Sequence, residues 1–215
     1  MITAVIFDLD GTLVDTLPIC IGAFRATVEP KLGRKLSLPE VYSYFGPSEE
    51  GIFAKHFPED QAEMLSVYLE HYTRMHQAYP EPVPGVVELL RALKTKGVTV
   101  ALVTAKGQSS CKITLDFYKM HDLFEQIEVG SPTGRVKAEC IIKVMNDLKI
   151  DPQTTIYVGD SPKDVVSARK ANIGIWSAAW LPSARTEEII ANAPDKILYS
   201  IAEFKEALEA ELGAL

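Results

Sequence analysis

Cysteine is scarce in this chain. The three present, Cys20, Cys111 and Cys140, are odd in number, lie far apart and form no Cys-x-x-Cys pair. That argues against structural zinc and against a disulfide framework, and it fits a reducing compartment. Long apolar runs are missing as well, and none approaches the roughly 20 residues of a membrane-spanning helix. The first residues carry no basic region, and Asp8 and Asp10 interrupt what would be a signal core, so a soluble cytoplasmic protein is expected. Positive charge is short: 22 Lys and Arg against 29 Asp and Glu give a formal net charge of −7. This argues against a surface for nucleic acid or an anionic membrane. It leaves a phosphorylated small molecule open, because local charge and a bound cation decide that case. No internal repeat and no low-complexity tail is present.

What remains is an ordinary globular composition, 47% apolar and 24% charged over 215 residues, enough for one α/β core and a small insertion. The chain is organised around its start, Ala4-Val5-Ile6-Phe7-Asp8-Leu9-Asp10-Gly11-Thr12. A short apolar run of this kind reads as a buried parallel strand, and ligands in open α/β sheets sit where such strands end. Two carboxylates at that edge repel each other. They make sense if a divalent cation, or a division of chemical labour, separates their roles. The bland alternative is a strand followed by an Asp-Gly turn.

Thr12 and Asp15 have the spacing of a helix start, which predicts a helix from Leu13 to about Val28. Residues 16–82 show no convincing strand. Ser37-Leu38-Pro39-Glu40 reads as a helix start and Phe45-Gly46-Pro47-Ser48 as a break. Met64, Leu65, Tyr68, Leu69, Tyr72 and Met75 fall on one face of a longer helix. The segment is expected to be a small helical bundle, closed by the stiff connector Pro80-Glu81-Pro82-Val83-Pro84-Gly85. Strands and helices then alternate to the C-terminus. Strands are expected at 98–103, 124–129, 155–158, 173–176 and 196–199, and helices at 85–96, 108–120, 137–148, 162–171 and 200–212. That alternation predicts a Rossmann-like parallel sheet with helices on both faces. The expected organisation is an α/β core of residues 1–15 and 83–215 with an all-helical cap of residues 16–82.

Three later positions bring polar groups to the same edge of such a sheet. Thr104 follows one strand, Asp160 follows another in Gly159-Asp160-Ser161-Pro162-Lys163-Asp164, and Lys137 opens a helix. Taken singly, each has a structural explanation. Thr104 reads as a cap, Lys137 as a solvated cation and Asp160 as a turn aspartate. Ser161, Pro162 and Asp164 read as a capping box. Together with Asp8 and Asp10 they read as a site.

At this point the sequence resembles a known family. Asp8-Leu9-Asp10-Gly11-Thr12, Thr104, Lys137 and Gly159-Asp160-Ser161-x-x-Asp164 match, in order, the four motifs of the haloacid dehalogenase superfamily. The helical insert between the first two motifs, followed by Pro84-Gly85-Val86, is similar to the subgroup holding phosphoglycolate phosphatase, pyrophosphatase and β-phosphoglucomutase. Ala105 and Ala138 stand where Asn and Pro are frequent in that family. The resemblance implies a phosphatase in which Asp8 is the nucleophile and Asp10 the acid and base. Mg2+ would be held by Asp8, the main-chain carbonyl of Asp10 and Asp160. Thr104, with Ala105 beside it, and Lys137 would bind the phosphoryl group, and Asp164 would orient Lys137 or a metal-bound water. The insert would close over the site, with Gly46 and Ser48, and Glu49 nearby, facing the substrate, and Arg25 as a further candidate. The substrate expected is a small phosphorylated metabolite, nearest phosphoglycolate, with pyrophosphate, a nucleotide or a mutase reaction on sugar phosphates as alternatives. A dehalogenase is disfavoured because the second acid, Asp10, is present. A non-enzymatic binding module ranks last. A monomer or homodimer is expected, with no nucleic-acid or membrane partner.

Overall fold

The computed structural model describes residues 1–79, 81–134 and 136–212. Within it the short apolar runs form β1 (Ala4–Phe7), β2 (Thr99–Val103), β3 (Gln126–Glu128), β4 (Thr155–Gly159), β5 (Gly174–Ala178) and β6 (Lys196–Leu198). They pair in the order β3-β2-β1-β4-β5-β6, and every pairing is parallel. β1 therefore lies at the centre, with Phe7 in register with Leu102 on one side and Val158 on the other. All strand C-termini face one edge, so residues far apart in sequence meet there.

Alternation along the strands fills both faces. Val5, Phe7, Val100 and Leu102 join a core with Leu89 and Leu93 of α5 (Val86–Thr95), Leu115 of α6 (Gln108–Phe117) and Phe204 of α10 (Ile201–Leu212). Ile6, Ala101, Val103 and Tyr157 join the opposite core with Ile141 of α7 (Lys137–Leu148) and Val165 of α8 (Pro162–Lys170).

Between β1 and α5 the described residues hold helices and no strand: α1 (Leu17–Leu32), α2 (Leu38–Tyr44), α3 (Glu49–His56) and α4 (Gln61–Met75). They share a third core of their own, built on Ile19, Phe24, Phe53, Tyr68 and Tyr72. Ser37 and Glu40 form the capping box that opens α2. The two chain crossings into this segment lie side by side, since Val83 N donates to Leu13 O at 3.0 Å. The last of the connector's prolines to precede Glu81, Pro80, lies outside the described residues.

Several expectations are corrected. The helix predicted from Leu13 starts at Leu17, and Thr12 and Asp15 do not cap it. Gly11, at φ 80°, turns the chain so that its N–H donates to Val14 O, and Leu13 and Val14 donate to Leu9 O. Leu13 and Val14 are buried in the first core instead. Core burial at that turn outweighs local helix signals. α6 ends at Phe117 rather than Met120, because Lys119 takes a left-handed conformation at φ 54°. A helix not foreseen, α9 (Thr186–Ala191), precedes β6.

Candidate functional site

The end of β1 is built first. Asp8 N donates to Val158 O at 2.8 Å, which keeps the residue in the sheet, while Asp8 Oδ1 accepts from Leu9 N at 2.8 Å. That leaves Asp8 Oδ2 directed to Lys137 Nζ, 2.8 Å away. Lys137, at the start of α7, also donates to Asp164 Oδ1 at 2.6 Å. The other oxygen of Asp164 accepts from Ser161 N at 3.0 Å and Ser161 Oγ at 2.6 Å, closing the capping box of α8. Asp164 thus spends both oxygens, one on its helix and one on orienting the lysine.

Asp160 completes a group in which Asp8, Asp160 and Asp164 each place a carboxylate oxygen within 4.8 Å of the others. Asp160 Oδ1 accepts from Thr12 Oγ1 at 3.4 Å. Gly11 packs flat against this carboxylate, and a Cβ there would lie 2.2 Å from Asp160 Oδ2. Burial pushes the Asp8 carboxyl up to about 6, only partly opposed by Lys137. Burial, then the charges of Asp164 and Asp8, raises Asp160 well above the carboxylate range. Burial alone would lower Lys137, yet Asp164 and Asp8 outweigh it and hold the ammonium well above its ordinary value. Three carboxylates thus share one lysine. The set is short of positive charge and offers only hard oxygen donors, which fits Mg2+.

Thr104 sits at the adjoining strand end, buried, with its N–H on Glu128 O at 3.0 Å and its Oγ1 accepting from Lys106 N at 3.3 Å. Ala105 beside it is exposed, and its main chain is pressed against Gly130, where a Cβ would lie 2.0 Å from Ala105 O. Asp10 stands apart from the three-carboxylate group. Its side chain accepts from Thr16 Oγ1 and from Lys106 Nζ, which lies 3.2 Å from Oδ1 and 3.3 Å from Oδ2.

Lys106 is the residue that sequence reasoning missed. Its signal was the placement of a cation in Thr104-Ala105-Lys106-Gly107, just past a strand end on the edge that carries the acids. The expected substrate-facing residues of the helical segment all have partners or packing within the protein. Glu49 accepts from Gly107 N and Ser110 Oγ, each at 2.7 Å, at the start of α6. Ser48 is buried, with its N–H on Ser131 O at 3.1 Å and its Oγ without a partner. Gly46 lies half-buried in the preceding break. Arg25 is turned into the segment, donating to Leu36 O at 2.8 Å. α3 is seated on the core at two places, because Gly51 also packs against the main chain of Pro132.

The sequence pattern of the haloacid dehalogenase-like hydrolases matches residues 5–178, which span every one of these groups. The chain belongs to that family. A Caldanaerobacter subterraneus subsp. tengcongensis protein, provisionally named pyrophosphatase PpaX, is 35% identical over 182 residues, 83% of this chain and 82% of its own length. Pyrophosphatase PpaX of Halalkalibacterium halodurans is 30% identical over 203 residues, 93% of this chain and 94% of its own. Among solved structures, a haloacid dehalogenase-like hydrolase of Streptococcus pneumoniae covers 96% of this chain and 98% of its own. Its TM-score is 0.76 at 25% identity. The chain is thus a hydrolase of the haloacid dehalogenase-like kind. Among its described residues no helix is long and apolar enough to cross a membrane.

Proposed function

We propose that this hydrolase is a Mg2+-dependent phosphatase working through an aspartyl-phosphate on Asp8, with inorganic pyrophosphate as its first candidate substrate. The observation that carries the mechanism is the pairing of Asp8 Oδ2 with Lys137 at 2.8 Å beside the carboxylates of Asp160 and Asp164. A nucleophile fixed on a central strand, with its charge balanced by an adjacent cation, is suited to in-line attack on phosphorus. Pyrophosphate ranks ahead of phosphoglycolate because proteins at 30–35% identity over more than four-fifths of both chains carry the pyrophosphatase name.

In the first step Asp8 bonds to phosphorus as the bond to the leaving oxygen breaks, and Asp10 delivers the proton that this oxygen needs. In the second, Asp10 takes a proton from water as the water oxygen displaces Asp8 and releases phosphate. Thr104 Oγ1 and the main chain of Ala105 would hold phosphoryl oxygens, and Lys137 would offset their charge. Mg2+, held by Asp8, Asp160 and the main-chain carbonyl of Asp10, would supply the positive charge that lets an anionic nucleophile approach an anionic phosphate. Residues 16–82 act as a cap, and the seating of α3 on Gly107, Ser131 and Pro132 favours a small substrate and excludes bulk water.

Phosphate release is the test, measured with Mg2+ on pyrophosphate, phosphoglycolate, nucleoside monophosphates and sugar phosphates. Pyrophosphate is expected to give the highest kcat/KM, and chelator to stop turnover. Phosphoglycolate exceeding pyrophosphate by about tenfold would overturn the substrate while leaving the phosphatase intact. Turnover surviving in Asp8→Asn would overturn the mechanism.

A further inference from the structure

Lys106 belongs to the core, yet most of what holds it belongs to the helical segment. Its ammonium lies 3.3 Å from Cys20 Sγ on α1, 4.5 Å from the ring centre of Tyr72 on α4 and 3.7 Å from Glu49 at the start of α3. Its remaining partner is the carboxylate of Asp10. The lysine side chain is only 1% exposed. Burial by itself would discharge it, but the carboxylates of Asp10 and Glu49, with the face of the Tyr72 ring, keep it charged. Glu49 is in turn anchored on the core by the N–H of Gly107, the residue before α6, and by the hydroxyl of Ser110 in its first turn. An acidic side chain is well placed at that helix end.

We propose that Lys106 is a positioning residue for Asp10, and that Glu49 sets Lys106 in place when the helical segment seats on the core. The proposal rests on reading Asp10 as the acid and base. An aspartate side chain has two rotatable bonds, and its aim is fixed here by two contacts, Thr16 Oγ1 and Lys106 Nζ. Thr16 sits where the chain enters the helical segment, whereas Lys106 reaches Asp10 from the core strand edge. Lifting the segment would strip Lys106 of Glu49, Cys20 and Tyr72 together. A long, rehydrated lysine no longer fixes its partner. Asp10 is then aimed for proton transfer only while the site is covered, which ties the chemistry to exclusion of water.

The test uses the full Mg2+-loaded enzyme with two probes, 4-nitrophenyl phosphate and glycerol phosphate. The first has a leaving group that needs little protonation, and the second needs a well-aimed acid. Lys106→Met keeps the packed stem and removes the charge. It is expected to lower kcat/KM for glycerol phosphate about tenfold or more, and for 4-nitrophenyl phosphate by about threefold or less. Glu49→Ala should show the same leaving-group bias, and adding it to Lys106→Met should cause no further fall. Exchange of the Gly107 amide hydrogen should rise about tenfold in Glu49→Ala, a readout independent of any turnover. An equal fall on both probes, or losses that multiply in the double variant, would overturn the positioning role. Unchanged Gly107 exchange would overturn the part given to Glu49. Wild-type turnover of glycerol phosphate surviving in Asp10→Asn would instead sink the assignment of Asp10 as acid and base.

Discussion

Asp8 shows how a residue can be arranged for reaction at the expense of the fold. Its carboxyl stands at about 6, against 3.8 for an ordinary aspartate, chiefly because it is buried. A carboxyl raised by folding contributes stability that is complete below the unfolded value and is lost as pH rises through the folded one. The metal-free protein should therefore lose stability between about pH 4 and pH 6 on account of this group. Asp8→Asn removes that loss along with the nucleophile. In chelator at about pH 8, its thermal midpoint should exceed that of the wild type by several degrees. A variant equal to or below the wild type would mean that Lys137 already offsets the burial. Asp8, Thr104, Lys137 and Asp160 were all legible in the sequence, because each follows a strand or opens a helix on one predicted edge. The environment of Asp10 was not legible, since its partners Thr16 and Lys106 stand at no motif spacing from it.

At the scale of elements, the junction of α4 with α6 carries its own titration. His76 is fully buried, its Nδ1–H donating to Tyr72 O at 2.8 Å and its Nε2 lying 3.2 Å from Thr114 Oγ1. Its ring packs edge-on against Phe117. Burial lowers its proton affinity below the ordinary 6.5, and nearby Lys106 adds to that while the Tyr72 carbonyl opposes it. A group depressed by folding contributes stability present above its unfolded value and lost as pH falls through the folded one. The urea midpoint should therefore drop from about pH 7 to about pH 5. His76→Gln should lie below the wild type at the higher pH, with the gap narrowing at the lower. A constant gap would show that folding leaves the proton affinity of His76 unchanged. Helix periodicity placed α4 on the sequence, and the Ser161–Asp164 spacing placed the cap of α8. The start of α1 escaped, because Leu13 and Val14 were drawn into the core by a glycine turn whose local signals look helical.

For the whole molecule, what matters most to metal dependence is the deficit of positive charge where Asp8, Asp160 and Asp164 meet. A cation that binds only the folded chain stabilises it by mass action. Saturating Mg2+, at roughly a hundred times its dissociation constant, should add about 2.7 kcal/mol, and Asp160→Asn should abolish most of that gain. A calorimetric midpoint that does not move with Mg2+ would show that the carboxylates are balanced by protons and Lys137 alone.

The sequence by itself determined the layered α/β architecture, the helical insert and the acids at the strand ends. Strand periodicity, helix periodicity and capping are local properties, and a parallel sheet brings every strand's end to one edge. Only the tertiary structure decided which charges pair across that edge. It set Glu49 at the start of a core helix, on Gly107 N and Ser110 Oγ, and it gave Asp10 a lysine partner 96 positions away. Such pairings depend on how the helical segment seats on the core, and no spacing along the chain encodes that distance.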